Sequence, residues 1–190
     1  MDNNTYEYFL HQIKDGLPLG FVPHEFRNYH LCMEAVKMNG ACLFNVPKEH
    51  KTYTLCFQAV KRYGCSLLHV PDKHKDYKMC LVAVRNSGFA LDYVPEKYKT
   101  EELCLEAVRE NGRLLKYVPL DKITYKICLE AIRQICSNLQ YRMFIHNYEQ
   151  VCVQMILNNI WLLNYVPDKY MNRIFNELHL EDSELELIAA

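Results

Sequence analysis

Hydrophobic and polar positions recur along this chain with a period of 24 residues. In each period an apolar string, such as LCLEAV at 103–108, is followed by a polar break, a short apolar segment and the dipeptide Val-Pro. On a helix the apolar positions span about 200°, whereas a helix with one buried face needs a stripe of about 100°. We therefore predict a helix that is packed on two sides.

Four kinds of residue mark the period, which is the signature of a repeat architecture. They are Cys32, Cys56, Cys80, Cys104, Cys128 and Cys152; Leu19, Leu43, Leu67, Leu91, Leu115, Leu139 and Leu163; Gly16, Gly40, Gly64, Gly88 and Gly112; and Val-Pro at 22, 46, 70, 94, 118 and 166. Counted from Asn4, seven units extend to residue 171, and a different, acidic segment follows at 172–190.

Each unit contains signals for two helices. The position before each apolar string carries a side chain that suits a helix N-cap, namely Asn28, Thr52, Asp76, Thr100 and Thr124. A helix of about 11 residues follows, and we predict that the glycine ends it by adopting the left-handed conformation. The spacing of Leu115 and Val118 then predicts a short α- or 3-10 helix, which Pro119 ends. A polar loop leads to the next cap.

Such a unit cannot bury a wide apolar arc alone, so neighbouring units must stack. We predict an all-α fold, an α-solenoid of seven 24-residue units in a single domain, 1–190. Residues 4–171 form the repeats, and 172–190 form a C-terminal cap and acidic tail. The last units depart from the pattern, with Cys136 and Ile160 in place of glycine and Arg142-Met143 in place of Val-Pro. Their helices either run on or kink, or Trp161 marks a separate surface there.

The repeat strings resemble a known family. The segment CLEAVRENGRLLKYVP at 104–119 is similar to the motifs of the tandem-repeat family known as domain of unknown function 4116, and the likeness extends over 4–171. Such repeats occur in bacterial and viral proteins. The resemblance implies helical repeats, brings no catalytic residues to carry over, and favours an effector or an inhibitor of another protein.

Charge and hydropathy narrow the class of protein. The chain has 22 Lys and Arg against 23 Asp and Glu, a formal net charge of −1, which argues against a dedicated nucleic-acid binder. It has no apolar run of about 20 residues and no signal-peptide layout at its start. We therefore expect no membrane partner and a cytoplasmic protein, or one in a host cytoplasm if it is delivered there.

The spacing of the periodic cysteines favours a role in core packing over a disulfide, redox or metal role. Equivalent residues of stacked helices lie about 8–10 Å apart, beyond the roughly 7 Å between Cα atoms that a disulfide allows. We predict that the periodic cysteines are reduced core residues. Cys65 and His69, four residues apart, are a candidate thiol or metal site, but no further ligands accompany them. We predict no enzyme activity, no cofactor and no metal.

A column of cations recurs on the side of the helix opposite the buried arc: Lys37, Lys61, Arg85, Arg109 and Arg133. Such a ladder suits a phosphate backbone or an acidic protein. Glu34, Glu106 and Glu130 lie three residues earlier, however, and suit local ion pairs on a solvated face.

A second column lies on the short helix and becomes tyrosine in the later units: Phe21, Asn45, His69, Tyr93, Tyr117, Tyr141 and Tyr165. Tyrosine is enriched in interface hot spots, so Tyr93, Tyr117, Tyr141 and Tyr165, with Trp161, are candidate protein-binding residues. The alternative is a packed ring with its hydroxyl in water.

The sequence thus predicts a non-catalytic protein-interaction module whose partner is another protein. A nucleic-acid-binding solenoid that uses the basic ladder is the alternative, and a thiol or metal protein that uses Cys65 and His69 is a third hypothesis.

Overall fold

A computed structural model describes residues 3–137 and 165–177. These residues form helices joined by short turns, with no strand in the described ranges. The chain divides into two compact parts, each larger than one 24-residue repeat. We call Met1–Tyr98 the first unit and Lys99–Ala190 the second unit. In the first unit the long helices stack in chain order, and in the described part of the second unit the first two long helices pack on each other, which confirms the predicted all-α, solenoid-like fold class.

The long helices follow the predicted period. In the first unit they are α1 (Asn3–Lys14), α2 (Tyr29–Met38), α3 (Tyr53–Arg62) and α4 (Tyr77–Asn86). In the second unit they are α5 (Glu101–Glu110), α6 (Tyr125–Ser137) and a later helix, Asp168–Glu177. Helices α2 to α5 have 10 residues each, but α6 has 13. It runs on through Cys136, which is one of the outcomes that the sequence leaves open for this repeat.

All five predicted N-caps are confirmed. In each repeat a side-chain oxygen accepts a hydrogen bond from the backbone N–H three residues later, one of the donors that a helix start leaves unpaired. The distances are 2.9 Å for Asn28, 3.3 Å for Thr52, 2.7 Å for Asp76, 3.2 Å for Thr100 and 3.4 Å for Thr124.

The short helices are 3-10 helices. The first of each repeat ends just before Val-Pro; these helices are Leu19–Phe21, Gly40–Asn45, Gly64–His69, Gly88–Tyr93 and Gly112–Tyr117. A second 3-10 turn stands where the sequence predicted a polar loop, at His24–Phe26, Lys48–His50, Asp72–His74, Glu96–Tyr98 and Leu120–Lys122. Its first hydrogen bond runs to the proline carbonyl, for example from His50 N–H to Pro47 O at 3.0 Å. The predicted polar loop thus contains one short 3-10 turn, for which proline supplies the first acceptor although it lacks a donor.

The core lies between the long helices and the 3-10 helices. In the first unit α1 to α4 pack in order, and the 3-10 helices stack on one another and against these helices. Each long helix buries the apolar string, as Leu31, Cys32, Ala35 and Val36 show in α2. The five periodic cysteines in the described ranges, at 32, 56, 80, 104 and 128, are fully buried, which confirms that they pack in the core. Cys152 lies outside the described residues.

Gly16 ends α1 in the predicted left-handed conformation, but the later periodic glycines do not end helices in this way. Helix α3 ends at Arg62, its C-cap Tyr63 has an extended backbone, and Gly64 begins the next 3-10 helix. Among the described glycines only Gly16 has a positive φ, of 100°. Gly40 and Gly64 serve close packing instead, because a Cβ at either would lie inside contact distance of the Ala59 or Ala83 carbonyl oxygen in the following repeat. Repeat stacking, and not backbone conformation, requires glycine there.

Candidate protein-interaction surface

Large apolar side chains are exposed along one edge of the first unit. Phe21, Phe44 and Leu68 project from three successive 3-10 helices and are 74%, 66% and 51% exposed. Neighbouring 3-10 helices stack on each other, so these side chains belong to one continuous edge. We call Phe21, Phe44, Leu68, His69 and Tyr93 the unit 1 edge. Exposed apolar side chains that cluster on a rigid surface are typical of binding sites.

Contacts between repeats order this edge. The rings of Phe44 and His69 lie 5.2 Å apart between centroids. Burial, together with the nearby Lys51 cation, lowers the pKa of His69 below its usual value. The imidazole is therefore neutral at physiological pH and adds to the apolar character of the surface.

The tyrosines of the predicted binding column are half-buried. Tyr93 belongs to the first unit, whereas Tyr117 and Tyr165 belong to the second. The Lys116 Nζ lies 4.6 Å from the centroid of the Tyr117 ring, a cation–π contact. Tyr141 and Trp161 lie outside the described residues, so their proposed roles stay predictions.

The sequence pattern did not identify Phe44 and Leu68. The equivalent positions hold Gly20, Asp92 and Lys116, so the period shows no shared residue type there. The usable signal was a departure from the repeat, since 44 and 68 hold large apolar residues whereas the other equivalent positions hold glycine, polar or charged residues. Residues that vary at an exposed position of a repeat carry specificity, whereas those that recur build the scaffold.

A column of partly buried cations links successive repeats beneath this surface. Arg27 donates three hydrogen bonds to carbonyl oxygens, from Nε to Val22 at 2.8 Å, from Nη2 to Gly20 at 3.0 Å and from Nη1 to Asn45 at 3.1 Å. Lys51 Nζ donates to His69 O at 3.3 Å, and in the second unit Lys99 Nζ donates to Tyr117 O at 3.4 Å. Each cation thus satisfies the last carbonyl of the next 3-10 helix.

This column was also missed, although basic residues at 27, 51, 75 and 99 keep the period of 24. Lys75 differs in forming an ion pair with Asp72, 3.0 Å away. At the next equivalent position Ile123 is buried, so the column ends there among the described repeats.

We expect Arg27→Ala to lower the free energy of unfolding by about 2–3 kcal/mol, because hydrogen bonds from a charged donor are lost and carbonyls are left unpaired. Arg27→Lys should give an intermediate loss. Urea unfolding of the full chain measures both, with the exposed Lys48→Ala as a control of near-zero effect. A loss below about 0.5 kcal/mol for Arg27→Ala would show that water replaces these bonds without cost.

The described side chains of the basic ladder are all exposed. In the first unit Lys37 forms an ion pair with Glu34 at 2.7 Å, and in the second unit Arg109 lies 3.7 Å from Glu106. Glu130, beside Arg133, accepts a hydrogen bond from Gln134 at 3.3 Å. Lys61 and Arg85 form no ion pair with described residues. A neighbouring carboxylate therefore offsets part of the positive charge at Lys37 and Arg109 but, among the described residues, not at Lys61 and Arg85.

Cys65 and His69 have separate contacts. The Cys65 thiol lies 3.6 Å from the Ser87 hydroxyl, while the His69 ring packs on Phe44. In the described part of the chain no group of three His, Cys, Asp or Glu side chains is placed to hold a metal ion. Burial raises the pKa of Cys32, Cys56, Cys80 and Cys128 to about 11, so these thiols stay protonated at neutral pH.

A family model matches part of the chain. Residues 54–99, which include α3, α4 and their 3-10 helices, match the model of the family described as a domain of unknown function (DUF4116). This match confirms the resemblance that the repeat strings indicate. No curated protein and no solved structure matches the chain. Within the described ranges, the helices are too short or too polar to cross a membrane.

Proposed function

We propose that the protein is a non-catalytic protein-binding module that contacts a partner protein through the unit 1 edge. The observation that supports this most is the exposure of Phe21, Phe44 and Leu68 on three stacked 3-10 helices. Burial of apolar surface contributes about 25 cal/mol per Å², so covering these side chains would stabilise a complex. Aromatic anchors of this kind are enriched at the centres of protein interfaces.

The ordering of the edge also suits binding. Its side chains project from helices that pack against the core and that Arg27 and Lys51 hold through backbone carbonyls. A surface that is ordered before binding loses little conformational entropy on association. We propose that Tyr93 extends the contact surface at the end of this edge, and that Tyr117 and Tyr165 serve the same purpose in the second unit.

A module of this kind acts by occupying a surface of its partner. We propose that it is an effector or an inhibitor, which is what the resemblance to the repeat family implies. Its free, buried cysteines suit a reducing compartment, so we place it in a cytoplasm.

Affinity capture with quantitative mass spectrometry tests the proposal. Wild-type chain, a Phe44→Ser/Leu68→Ser variant and a Tyr63→Ser control are immobilised and exposed to nuclease-treated lysate. Tyr63 is a matched control because it is 48% exposed but lies outside the edge. We expect a partner that is recovered equally on wild type and control, and at least about tenfold less on the double variant.

Two results would contradict the proposal. One is that every protein captured by the wild type is also retained by the double variant. The other is that capture occurs only when the nuclease is omitted and declines steeply with salt, with a log–log slope near −0.9 for each phosphate contact, which would favour the nucleic-acid alternative.

A further inference from the structure

A positive face lies on α3 and α4 in the first unit, apart from the unit 1 edge. These two helices carry four cations, Lys61, Arg62, Lys78 and Arg85, and contain no aspartate or glutamate. Helix α5, by contrast, has four glutamates and one arginine. In a chain with a net charge of −1, the positive charge on α3 and α4 is a local feature and not a property of every repeat.

The cations surround apolar side chains that are only half-buried. Phe57 and Lys61 lie four residues apart on α3, as do Leu81 and Arg85 on α4, so each pair shares one helix face. Lys78 connects the helices, since its Nζ lies 5.7 Å from the centroid of the Phe57 ring. We call Phe57, Lys61, Lys78, Leu81 and Arg85 the α3–α4 face.

The charges of this face are available to a ligand. Lys61, Lys78 and Arg85 are exposed, and Lys61 and Arg85 form no ion pair with the described residues. Arg62 is different, because its Nε donates to the Lys37 carbonyl at 2.8 Å and so ties α3 to α2. The carboxylate of Asp76, the N-cap of α4, accepts hydrogen bonds from the Met79 N–H and from the Tyr53 hydroxyl.

We propose that the α3–α4 face binds an acidic amphipathic helix of a partner protein. Carboxylates of such a helix would meet Lys61 and Arg85, while its apolar side chains would cover Phe57 and Leu81. Packed helices lie about 8–10 Å apart, and residues seven apart on a helix lie about 10 Å apart on one face. Glutamates with that spacing therefore match cations at equivalent positions of neighbouring repeats.

Nucleic acid fits this face less well. Binding to a phosphate backbone depends on several clustered cations, whereas here three available cations alternate with two apolar side chains. The combination of charge and apolar surface matches an amphipathic partner, in which opposite charge directs association and buried apolar area supplies affinity.

Fluorescence anisotropy with the full chain tests this proposal. The probe is a synthetic helical peptide with glutamates seven residues apart and leucines between them on the same face, and its control is a scrambled peptide of equal composition. We expect Lys61→Glu/Arg85→Glu to weaken binding at least tenfold, about the effect of reversing two interfacial charges. Leu81→Gln, checked for an unchanged unfolding midpoint, should weaken binding about threefold to tenfold.

Two controls separate this surface from the others. Arg109→Glu changes the same repeat position on the acidic helix α5 and should leave peptide binding unchanged. Phe44→Ser/Leu68→Ser should also bind the peptide as the wild type does. A failure of partner binding at the unit 1 edge can therefore be distinguished from a failure of peptide binding at the α3–α4 face.

The proposal is overturned if the peptide does not bind more tightly than about 1 mM, or if the scrambled peptide binds equally well. It is also overturned if Lys61→Glu/Arg85→Glu leaves affinity unchanged. Displacement of the peptide by a short DNA duplex, with a salt slope of several phosphate contacts, would assign the face to nucleic acid instead.

Discussion

Replacing Gly64 by alanine is expected to lower the free energy of unfolding by about 3 kcal/mol, at the upper end of the usual cost of overpacking. A Cβ at this position would overlap the Ala83 carbonyl oxygen and lie 3.1 Å from the Ser87 nitrogen. These are backbone atoms at the end of α4, where the Ser87 N–H already donates to Ala83 O at 2.9 Å. The repeats would have to move apart to admit one methyl group.

The direction of this change is opposite to what local preference predicts. Alanine in place of glycine usually stabilises a helical segment by about 0.5–1 kcal/mol, so a large loss isolates the effect of packing. Gly20→Ala is the matched control, because its Cβ would meet only the Asn45 side-chain amide at 3.3 Å. If urea unfolding finds Gly64→Ala neutral or stabilising, the assigned role of glycine in repeat stacking is incorrect.

Stability should also fall steeply between about pH 9 and pH 11. Burial raises the pKa of Cys32, Cys56, Cys80 and Cys128 from the ordinary value of 9.0 to about 11. In this window the folded chain keeps thiol protons that the unfolded chain has released, so deprotonation favours unfolding. Each thiol contributes stability that is fully present below pH 9 and is lost as the pH rises through 11, at about 1.4 kcal/mol per pH unit.

Urea unfolding under reducing conditions at pH 7, 8, 9 and 10 measures this dependence. Other groups titrate in the same range, so the informative quantity is the difference between wild type and Cys56→Ala. That difference should be constant between pH 7 and 8. Above pH 9 the free energy of unfolding of the variant should fall more slowly than that of the wild type, by the contribution of one thiol, about 1.4 kcal/mol per pH unit. Parallel curves up to pH 10 would show that the Cys56 thiol ionises as readily in the folded chain as in the unfolded one.

The parts of the fold that depend on local chemistry could be predicted from the sequence. Asn28 and its equivalents are N-caps because their side chains reach a donor three residues away, and this interaction needs no knowledge of other repeats. The longer α6 is one of the outcomes that the departure from the repeat at Cys136 left open. The wide apolar arc predicted packing on two sides, which the contacts of α3 with α2, with α4 and with two 3-10 helices confirm.

Features that depend on contacts between repeats were predicted less well. Gly64 was assigned a left-handed conformation because glycine often ends helices, but the reason lies in the Ala83 carbonyl of the next repeat. Arg27 was not identified, since its role depends on a carbonyl 18 residues later that only stacking brings near. A periodic pattern shows which positions are constrained without showing which neighbour constrains them.

The same limit applies to the candidate site. Tyr93 and the basic ladder were identified because similar residues recur, whereas Phe44 and Leu68 were missed because they do not. Phe44 and Leu68 are candidate binding residues because they are exposed. Their exposure depends on how closely one 3-10 helix stacks on the next. For a repeat scaffold, a search for exposed departures from the repeat is therefore as useful as a search for its recurrent residues.

Amide hydrogen exchange of the full chain, with and without a captured partner, tests the central proposal most directly. Exchange at backbone amides reports local opening, and a bound partner reduces it where it makes contact. We predict slower exchange in the 3-10 helices Gly40–Asn45 and Gly64–His69, and no such change in the Phe44→Ser/Leu68→Ser variant at the same partner concentration. Protection confined to segments outside the unit 1 edge, and unchanged in that variant, would contradict the proposal.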